Sequence, residues 1–276
     1  MARWSRSTPS CAGCPSATGT TSRSRPGRRC RGAELRLALV QDRGVTANLR
    51  LLHLDADLAA IDKPPGLLVH PSALDAHEDR TALGLLEGQL AQKLYPLHRL
   101  DKGTSGVLLF ARHVEAARQW GAAFEGGEVR KRYVALVRGW PAEQGVIDQP
   151  LARDPELPST GQVRLAAVTR YLRLACHEWD FSVDGRHPTS RYALVEAEPL
   201  TGRRHQIRRH FKHIAHPLVG DTTHGKGAHN RAVGAWLGTQ RLWLHACSIE
   251  LPGTLRVEAG PGPEWRSLGI PYDGSP

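Results

Sequence analysis

The chain has 276 residues, of which 40% are hydrophobic, and it carries a formal net charge of +10 at neutral pH. This length and apolar content allow one large domain or two small ones with a substantial core. A pI near 9.8 favours a polyanionic partner over an acidic one. Because no apolar run approaches the roughly 18 residues of a membrane span, we expect neither a membrane partner nor a secretion signal.

Residues 1–46 have the composition of a disordered basic leader. Eight arginines and a single acid, Glu34, fall within the first 36 residues, so +7 of the net charge lies there. The segment is rich in Ser, Thr, Gly and Pro, and it has no helical or strand period. It could be an RNA-gripping arm, a transit peptide, a solvated tail or the product of a misassigned start codon. We place the folded domain at residues 47–276.

Short apolar runs separated by turns follow the leader. The stretch LAAIDKPPGLLVH (58–70) predicts a strand, a Pro-Gly turn and a second strand, because two adjacent prolines forbid a helix. TALGLLEGQLAQKL (81–94) and VEAARQWGAAFEGG (114–127) have helical spacing, and glycines close the second helix. GVLLFAR (106–112) predicts a strand between them.

The second half of the chain contains more strand candidates than helices. They are KRYVALVRGW (131–140), AAVTRYLRLA (166–175), SRYALVEAEP (190–199) and RLWLHACSIEL (241–251). We interpret 150–162 and 225–238 as surface loops. Since strands outnumber helices and do not alternate with them, the sequence predicts an α/β fold of the α+β type with a mixed, largely antiparallel sheet.

A single carboxylate, Asp101, lies between basic residues in HRLDKGTSGVLLFAR (98–112). The apolar run that follows places it on a loop that leads into a strand, at the rim of a sheet, where functional groups are commonly displayed. Taken alone, the triplet could also be an ion pair of Asp101 with Arg99 or Lys102 at the surface.

The densest basic cluster is TGRRHQIRRHFKHIAHPLVGD (201–221), with four arginines and four histidines on a predicted turn and short helix that Pro217 helps to stop. Such density attracts phosphate. His210 and His213 lie on one helical face, but no nearby carboxylate or cysteine completes a metal site, so we expect no metal.

Two further patterns bear on chemistry. Tyr133, in KRYVALVRGW, is either a core residue with its hydroxyl at the surface or a ring that stacks on a base. The five cysteines are scattered and form no zinc or disulfide pattern, which favours a reduced, cytoplasmic chain. We find no Gly-rich phosphate loop or nucleophile elbow, and we expect no cofactor.

Three motifs in this order resemble the RluA family of pseudouridine synthases: HRLDKGTSGVLLFAR, the Lys-x-Tyr of KRY, and TGRRHQIRRH with HPLVGD. The resemblance runs from about Leu49 to the C-terminus, and DKPPGLLVH and LHACSIEL also lie where the family places them. It implies a catalytic domain at 47–276 with the family's fold, a long mixed sheet with flanking helices and a central active-site cleft.

The resemblance also implies roles for individual residues. Asp101 matches the family's catalytic nucleophile, and Arg208 matches the arginine that forms an ion pair with it. Tyr133 matches the tyrosine that packs on the target uracil and is a candidate acceptor of the C5 proton, while Arg99 matches the residue that fills the gap left by the flipped uridine. Further substrate contacts are predicted for His98, Lys131, Arg204, His205, Gln206 and Leu244.

The implied reaction breaks the C–N glycosidic bond of uridine, turns the base and forms a C–C bond to C5. It needs a nucleophile and a closed pocket but no metal or redox cofactor, and attack at C6 of the base and at C1′ of the ribose both stay open. A cation beside Asp101 would favour the ionised, nucleophilic form. The base must first be flipped out of its helix, at a cost of a few kcal/mol.

The substrate is predicted less specifically than the reaction. The short form of the chain resembles most the family members that act on tRNA at uridine 65, and we expect a monomer that binds RNA. A 23S rRNA enzyme or one with several RNA substrates is an alternative. Two other classes stay open: a non-catalytic RNA-binding protein, and a metal-dependent phosphoesterase built on the histidines.

Overall fold

A computed structural model describes residues 48–71, 80–183 and 185–268. The predicted leader, residues 1–46, lies outside the described residues. No helix in the described part of the chain is long and apolar enough to cross a membrane.

A mixed sheet of ten strands forms the centre of the fold. Its strands run in the order β1-β2-β4-β11-β5-β10-β9-β6, with β3 beside β4 and β12 beside β11, and β7 and β8 form a separate hairpin. Every pairing is antiparallel except that of β4 with β11, which confirms the predicted mixed, largely antiparallel sheet. The strands are β1 Arg50–Leu54, β2 Leu58–Lys63, β3 Tyr95–Pro96, β4 Ser105–Ala111, β5 Arg130–Arg138, β6 Gln144–Asp148, β7 Leu151–Ala152, β8 Arg164–Leu165, β9 Val168–Trp179, β10 Ser190–Pro199, β11 Leu244–Leu251 and β12 Leu255–Glu258.

Helices cover both faces of the sheet. They are α1 Ala82–Leu90, α2 Val114–Gly126, α3 Gln206–His213, α4 Gly227–Leu237 and a short 3-10 helix at Pro263–Leu268. The hydroxyl of Thr81 caps α1 by accepting from the backbone N–H of Gly84, and Gly127 ends α2 in the left-handed conformation at φ 75°. Both predicted helices of the first half are therefore confirmed.

Two sequence predictions are wrong, and a third holds only in part, because Leu151–Ala152 within the predicted surface loop 150–162 form the buried strand β7. The second strand predicted within 58–70 does not form: Leu68 makes one isolated bridge to Thr81, and the backbone carbonyl of Leu67 bonds the side chain of Lys63. Residues 225–238, predicted as a loop, contain α4. The glycines of that segment suggested a loop, but His229 and Val233 are buried one helical turn apart, and this packing outweighs the low helix propensity of glycine.

Strand β4 is buried on both faces, which fixes the position of the loop that precedes it. Leu108 and Phe110 pack in the apolar layer that contains Leu86 of α1 and Phe211 of α3. Val107 and its neighbours on the other face pack in the layer that contains α2. A strand packed on both sides gives a rigid end from which to display a functional loop.

Candidate active site

Asp101 lies on the loop between β3 and β4. The backbone N–H of Thr104 donates to the carbonyl oxygen of Asp101 at 2.9 Å, which closes a tight turn. At Gly106, φ is +108°, and a side chain there would meet the carbonyl oxygen of Ala246 at 2.2 Å. Gly106 therefore lets β4 lie directly against β11, in the one parallel pairing among the described strands of the sheet. This pairing sets where the Asp101 loop leaves the sheet.

Lys63 supports this loop from inside the protein. Its ammonium is fully buried and donates to the carbonyl oxygens of Pro64 at 2.9 Å, Leu67 at 2.8 Å and Lys102 at 3.3 Å. Burial lowers the pKa of Lys63 to about 7, although the negative charge of Asp101 opposes the shift. The lysine of DKPPG thus ties the turn after β2 to the residue that follows Asp101.

Arg208, on the buried side of α3, bridges two carboxylates. One terminal nitrogen donates to Oδ2 of Asp101 at 2.8 Å, while Nε and the other terminal nitrogen form a bidentate pair with Asp221, also at 2.8 Å. Burial alone would lower the pKa of Arg208, but the hydrogen bonds and charges of Asp221 and Asp101 raise it well above its usual range. The predicted contact of Arg208 with Asp101 is present in the structure.

Asp221 is a site residue that sequence reasoning missed. Its side chain is fully buried, and burial raises its pKa, but the bidentate bond to Arg208 outweighs this and holds the pKa below its usual range. Gly220 precedes it at φ +77°, where a side chain would collide with the carbonyl oxygen of Arg241. The signal in the sequence is the aspartate of HPLVGD, a motif of the family resemblance.

The ring of His205 faces the second oxygen of Asp101. Its Nε2 lies 3.8 Å from Oδ1, and its Nδ1 lies 3.0 Å from Nε2 of His224. His205 precedes α3 in the left-handed conformation, at φ 54°. This conformation costs a non-glycine residue roughly 1 kcal/mol and is found preferentially at functional sites.

Tyr133 lies on β5, opposite Ala197 of β10 and Ala246 of β11. Only 8% of the residue is exposed. Burial, and then the negative charge of Asp101, raise the pKa of Tyr133 well above its usual range. The phenol is therefore neutral, and it lies close enough to Asp101 for the charge of the carboxylate to affect its pKa.

A cleft of about 1230 Å³ opens beside Asp101, His205, Arg208 and Asp221. Five of the predicted site residues line it: Arg99, Asp101, Arg204, His205 and Arg208. The loop after β2, the Asp101 loop, the segment around Asp221 and one side of α4 form its walls. The structure thus brings residues that lie more than 100 positions apart in the chain to one opening.

The arginines on the cleft walls differ in how they are held. Arg204 forms an ion pair with Glu156 and lies 3.6 Å from Asp154, so the charge of its guanidinium is already paired with carboxylates. Arg99 and Arg231 are exposed, and no described carboxylate pairs with either one. The sequence does not single out Arg231, because the glycines around it predict a loop where the structure has α4.

Five other predicted site residues, Tyr133 and four predicted substrate contacts, lie outside the lining of the cleft. His98 accepts from the backbone N–H of Leu109 and stacks on Phe124, and desolvation with the charge of Lys131 lowers its pKa to about 3. Lys131 is buried, with its ammonium 5.8 Å from the centre of the Phe124 ring. Leu244 belongs to the core beside β5.

Gln206 is the fourth of these predicted substrate contacts, and its amide organises the start of α3. Its oxygen accepts from the hydroxyl of Thr201 and the backbone N–H of Arg203, and its nitrogen donates to the carbonyl of Val168 and the hydroxyl of Thr169. On the next turn, both ring nitrogens of His210 bond within the protein. The motif HQIR is thus held in place by its own amide.

Comparisons with known proteins show the family of the chain. Residues 57–213 match the family model described as RNA pseudouridylate synthase. The chain is 41% identical over 230 residues to tRNA pseudouridine synthase C of Vibrio cholerae, covering 80% of this chain and 94% of that protein. It is 46% identical over 229 residues to the protein of the same name from Haemophilus ducreyi, again covering 80% and 94%.

Solved structures give the same result at lower identity. Human RNA Pseudouridylate Synthase Domain Containing 1 is 25% identical with a TM-score of 0.63, covering 80% of this chain and 86% of that one. Human RNA Pseudouridylate Synthase Domain Containing 4 is 26% identical with a TM-score of 0.60, covering 81% and 94%. The predicted fold is therefore confirmed.

The matched sequence, the sheet and the cleft together define a class, and the chain belongs to the RNA pseudouridylate synthase family. It is an RNA pseudouridine synthase, an isomerase that converts uridine to pseudouridine.

Proposed function

We propose that this enzyme modifies tRNA at uridine 65, with Asp101 as the nucleophile. The observation that carries the role of Asp101 is its carboxylate, held by the buried Arg208 at 2.8 Å in the wall of a cleft of about 1230 Å³. The names of the bacterial relatives support tRNA as the substrate. The resemblance of the short form to synthases acting at uridine 65 supports the position.

The chemistry proposed for Asp101 follows from the bonds that change. The bond from C1′ to N1 breaks, a bond from C1′ to C5 forms, the proton on C5 leaves and N1 gains a proton. Arg208 donates a hydrogen bond to Oδ2 of the carboxylate, whereas His205 Nε2 lies 3.8 Å from Oδ1. One oxygen is therefore oriented and the other can react. Because the carboxylate is regenerated when the adduct breaks down, the same ion pair serves both steps.

Entry of the uridine into the cleft is proposed to depend on Arg99 and Tyr133. Arg99 is exposed on the cleft wall, which suits a side chain that occupies the space left in the helix by the flipped base. The neutral phenol of Tyr133 suits a ring that packs on the uracil while its hydroxyl relays a proton. Arg231 of α4 adds a further exposed cation to the same opening, suited to a phosphate.

Affinity for RNA is proposed to come from a basic surface beside the cleft. We call the guanidinium groups of Arg164, Arg203 and Arg209 the hairpin arginines, because each bonds a backbone carbonyl of the β7–β8 hairpin or its flanking residues. Arg209 and Arg164 are close enough for the charge of Arg164 to contribute, after burial, to lowering the pKa of Arg209. Carbonyl oxygens position these guanidinium groups without cancelling their charge, which leaves it available to phosphates.

The test is to incubate the purified enzyme with unmodified tRNA transcripts and with a 23S rRNA transcript, and then to map pseudouridine at nucleotide resolution. We expect modification at uridine 65 of tRNA, and none in a matched tRNA that carries cytidine there. Pseudouridine only in the rRNA, or at another tRNA position, would overturn the proposed substrate. The monomeric state and the cytoplasmic location stay predictions from the sequence.

A further inference from the structure

Two histidines form a contact beside Asp101 that the proposed reaction does not yet use. Nδ1 of His205 and Nε2 of His224 are 3.0 Å apart, and the ring centres are 5.2 Å apart at an interplanar angle of 69°. His205 presents its other nitrogen to Asp101, 3.8 Å from Oδ1. The three side chains therefore form a chain from His224 through His205 to the predicted nucleophile.

The structure also fixes the position of His224. Its backbone N–H donates to Oδ1 of Asp221 at 2.8 Å, and the N–H of Thr223 donates to the same oxygen at 3.0 Å. Asp221 in turn forms the bidentate pair with Arg208. One buried aspartate thus places both Arg208, which binds Oδ2 of Asp101, and His224, which contacts the histidine facing Oδ1.

Charge and burial around His224 favour a neutral ring. Burial lowers its pKa to about 4, and the positive charges of Arg208 and Lys212 and the nearby ring of His205 act in the same direction, while Asp221 opposes them. At neutral pH, His224 therefore carries one ring proton.

His205 is also neutral at that pH. Burial is the largest cause of its lowered pKa; Arg208 and Arg204 add to the shift, and Asp101 and Asp221 oppose it. With one ring proton on each histidine, the 3.0 Å contact needs one nitrogen to donate and the other to accept. Only two proton arrangements satisfy this requirement.

The charge of Asp101 distinguishes the two arrangements. If Nε2 of His224 donates to Nδ1 of His205, the proton of His205 is on Nε2 and points at the carboxylate. If Nδ1 of His205 donates instead, its Nε2 is a bare lone pair 3.8 Å from a carboxylate oxygen, and the two repel. The carboxylate therefore favours the arrangement in which His224 donates.

We propose that His224 is a positioning residue for the nucleophile: its Nε2–H donates to His205 and so holds His205 in the tautomer whose Nε2–H faces Oδ1 of Asp101. This inference rests on the proposed role of Asp101. The separation of 3.8 Å leaves Oδ1 free to attack, while the N–H orients the carboxylate and stabilises its charge when the adduct breaks down. The left-handed backbone of His205 is the local conformation that accompanies this orientation.

The tautomer can be measured without RNA. In full-length protein labelled with ¹⁵N at histidine, the two ring nitrogens of His205 have distinct shifts when protonated and bare, and comparison with His205→Gln and His224→Gln proteins assigns their signals. At pH 7 we expect a protonated Nε2 and a bare Nδ1 at His205. A protonated Nδ1 at His205 overturns the proposal, whatever the enzyme modifies.

The kinetic test compares variants under single-turnover conditions at saturating RNA. His224→Leu removes the donor that holds the His205 ring, so its Nε2–H no longer faces Asp101, and the chemical step should slow about tenfold. His224→Gln keeps a donor where Nε2 lies and should stay within about twofold of wild type. The control is His213→Leu, the same substitution at an exposed histidine of α3, which should leave the rate unchanged.

The outcomes separate this inference from the proposed function. If the wild-type enzyme makes no pseudouridine in tRNA, the proposed substrate fails, while the tautomer measurement still tests the role of His224. If the wild-type enzyme is active and His224→Leu matches it, the positioning role is wrong and the nucleophile assignment stands. If His224→Gln is as slow as His224→Leu in folded protein with unchanged RNA affinity, the donor is not what matters, and the proposal also fails.

Discussion

Arg208 and Arg209 are neighbours on α3, yet the structure places them in opposite surroundings. Arg208 is buried and shares its guanidinium between Asp101 and Asp221. Arg209 turns to the β7–β8 hairpin, where it bonds the carbonyl of Ala152 and meets no described carboxylate. One short basic motif therefore supplies both an internal ion pair and an external positive surface.

This difference shows that arginines adjacent in the sequence can have different roles in the structure. By charge alone the cluster at 201–221 is a single phosphate-binding patch, but its members divide according to which side of the helix they occupy. The side that faces the sheet orders the carboxylate site, and the side that faces the hairpin is the one we propose to attract RNA. The division predicts that substitutions on the two sides change different steps of the reaction.

The largest effect is expected for Arg208→Lys. Lysine keeps the charge but loses the bidentate bond, so the buried Asp221 and the partly buried Asp101 lose their fixed partner, which should cost about 3 kcal/mol of folding free energy. We expect the single-turnover rate to fall at least about 100-fold. The control is Arg209→Lys, which should keep near wild-type stability and turnover; equal losses in the two variants would remove the distinction between them.

Tyr133→Phe is expected to affect chemistry and not binding. The ring keeps its packing and the face that we propose to contact the uracil, so affinity for RNA should change by less than about twofold. If the neutral hydroxyl relays the C5 proton, the single-turnover rate should fall about 100-fold. Tyr171→Phe removes a hydroxyl from the same apolar layer and should be nearly neutral. Equal rates for Tyr133→Phe and wild type would exclude a role for the hydroxyl in proton transfer.

The role of the hairpin arginines in RNA binding is tested by the double substitution Arg164→Gln and Arg203→Gln. Because these side chains are exposed and contact only carbonyl oxygens in the described structure, stability should change little. Binding measured against salt concentration should weaken about tenfold at low salt, and the slope of log K against log salt should fall by about two. Turnover at saturating RNA should be unchanged. A lower saturated rate with an unaltered salt slope would contradict this division of roles.

The smallest effect near neutral pH concerns the buried histidines. Burial lowers the pKa of His245 to about 4, whereas the unfolded chain titrates near 6.5, so the unfolded state binds more protons between these values. Stability should therefore fall as the pH drops through this window, by about 1 kcal/mol or less for this group between pH 7 and pH 6. Urea titrations of wild type and His245→Gln measure it, and the variant should lose less stability on acidification. A wild-type protein more stable at pH 5 than at pH 7 would contradict the sign.

The sequence predicted local structure better than it predicted the composition of the site. Helix α2 follows from its helical period and from Gly127, which ends it in the left-handed conformation. Strand β4 follows from its short apolar run. These are local properties of the sequence. The helix α4 was missed because its glycines suggest a loop, whereas tertiary packing, including that of His229 and Val233, stabilises it.

The family resemblance predicted the ion pair of Asp101 with Arg208. It did not predict that Arg208 also binds Asp221. Lys63 and Asp221 act through contacts with segments 39 and 13 positions away along the chain, and neither residue differs locally from an ordinary turn lysine or aspartate. Their roles depend on which buried groups they meet, which spacing alone cannot predict.

The most direct test of the carboxylate site is Asp101→Asn, assayed with tRNA that carries tritium at C5 of uridine. The reaction releases the C5 proton to water, so tritium release follows bond formation at C5. We expect the variant to fold and to bind tRNA with near wild-type affinity and salt dependence, because phosphate contacts carry the binding. Its single-turnover release should be undetectable, because the amide is not a nucleophile. Release by Asp101→Asn at a rate close to that of the wild-type enzyme would contradict the assignment of Asp101 as the nucleophile.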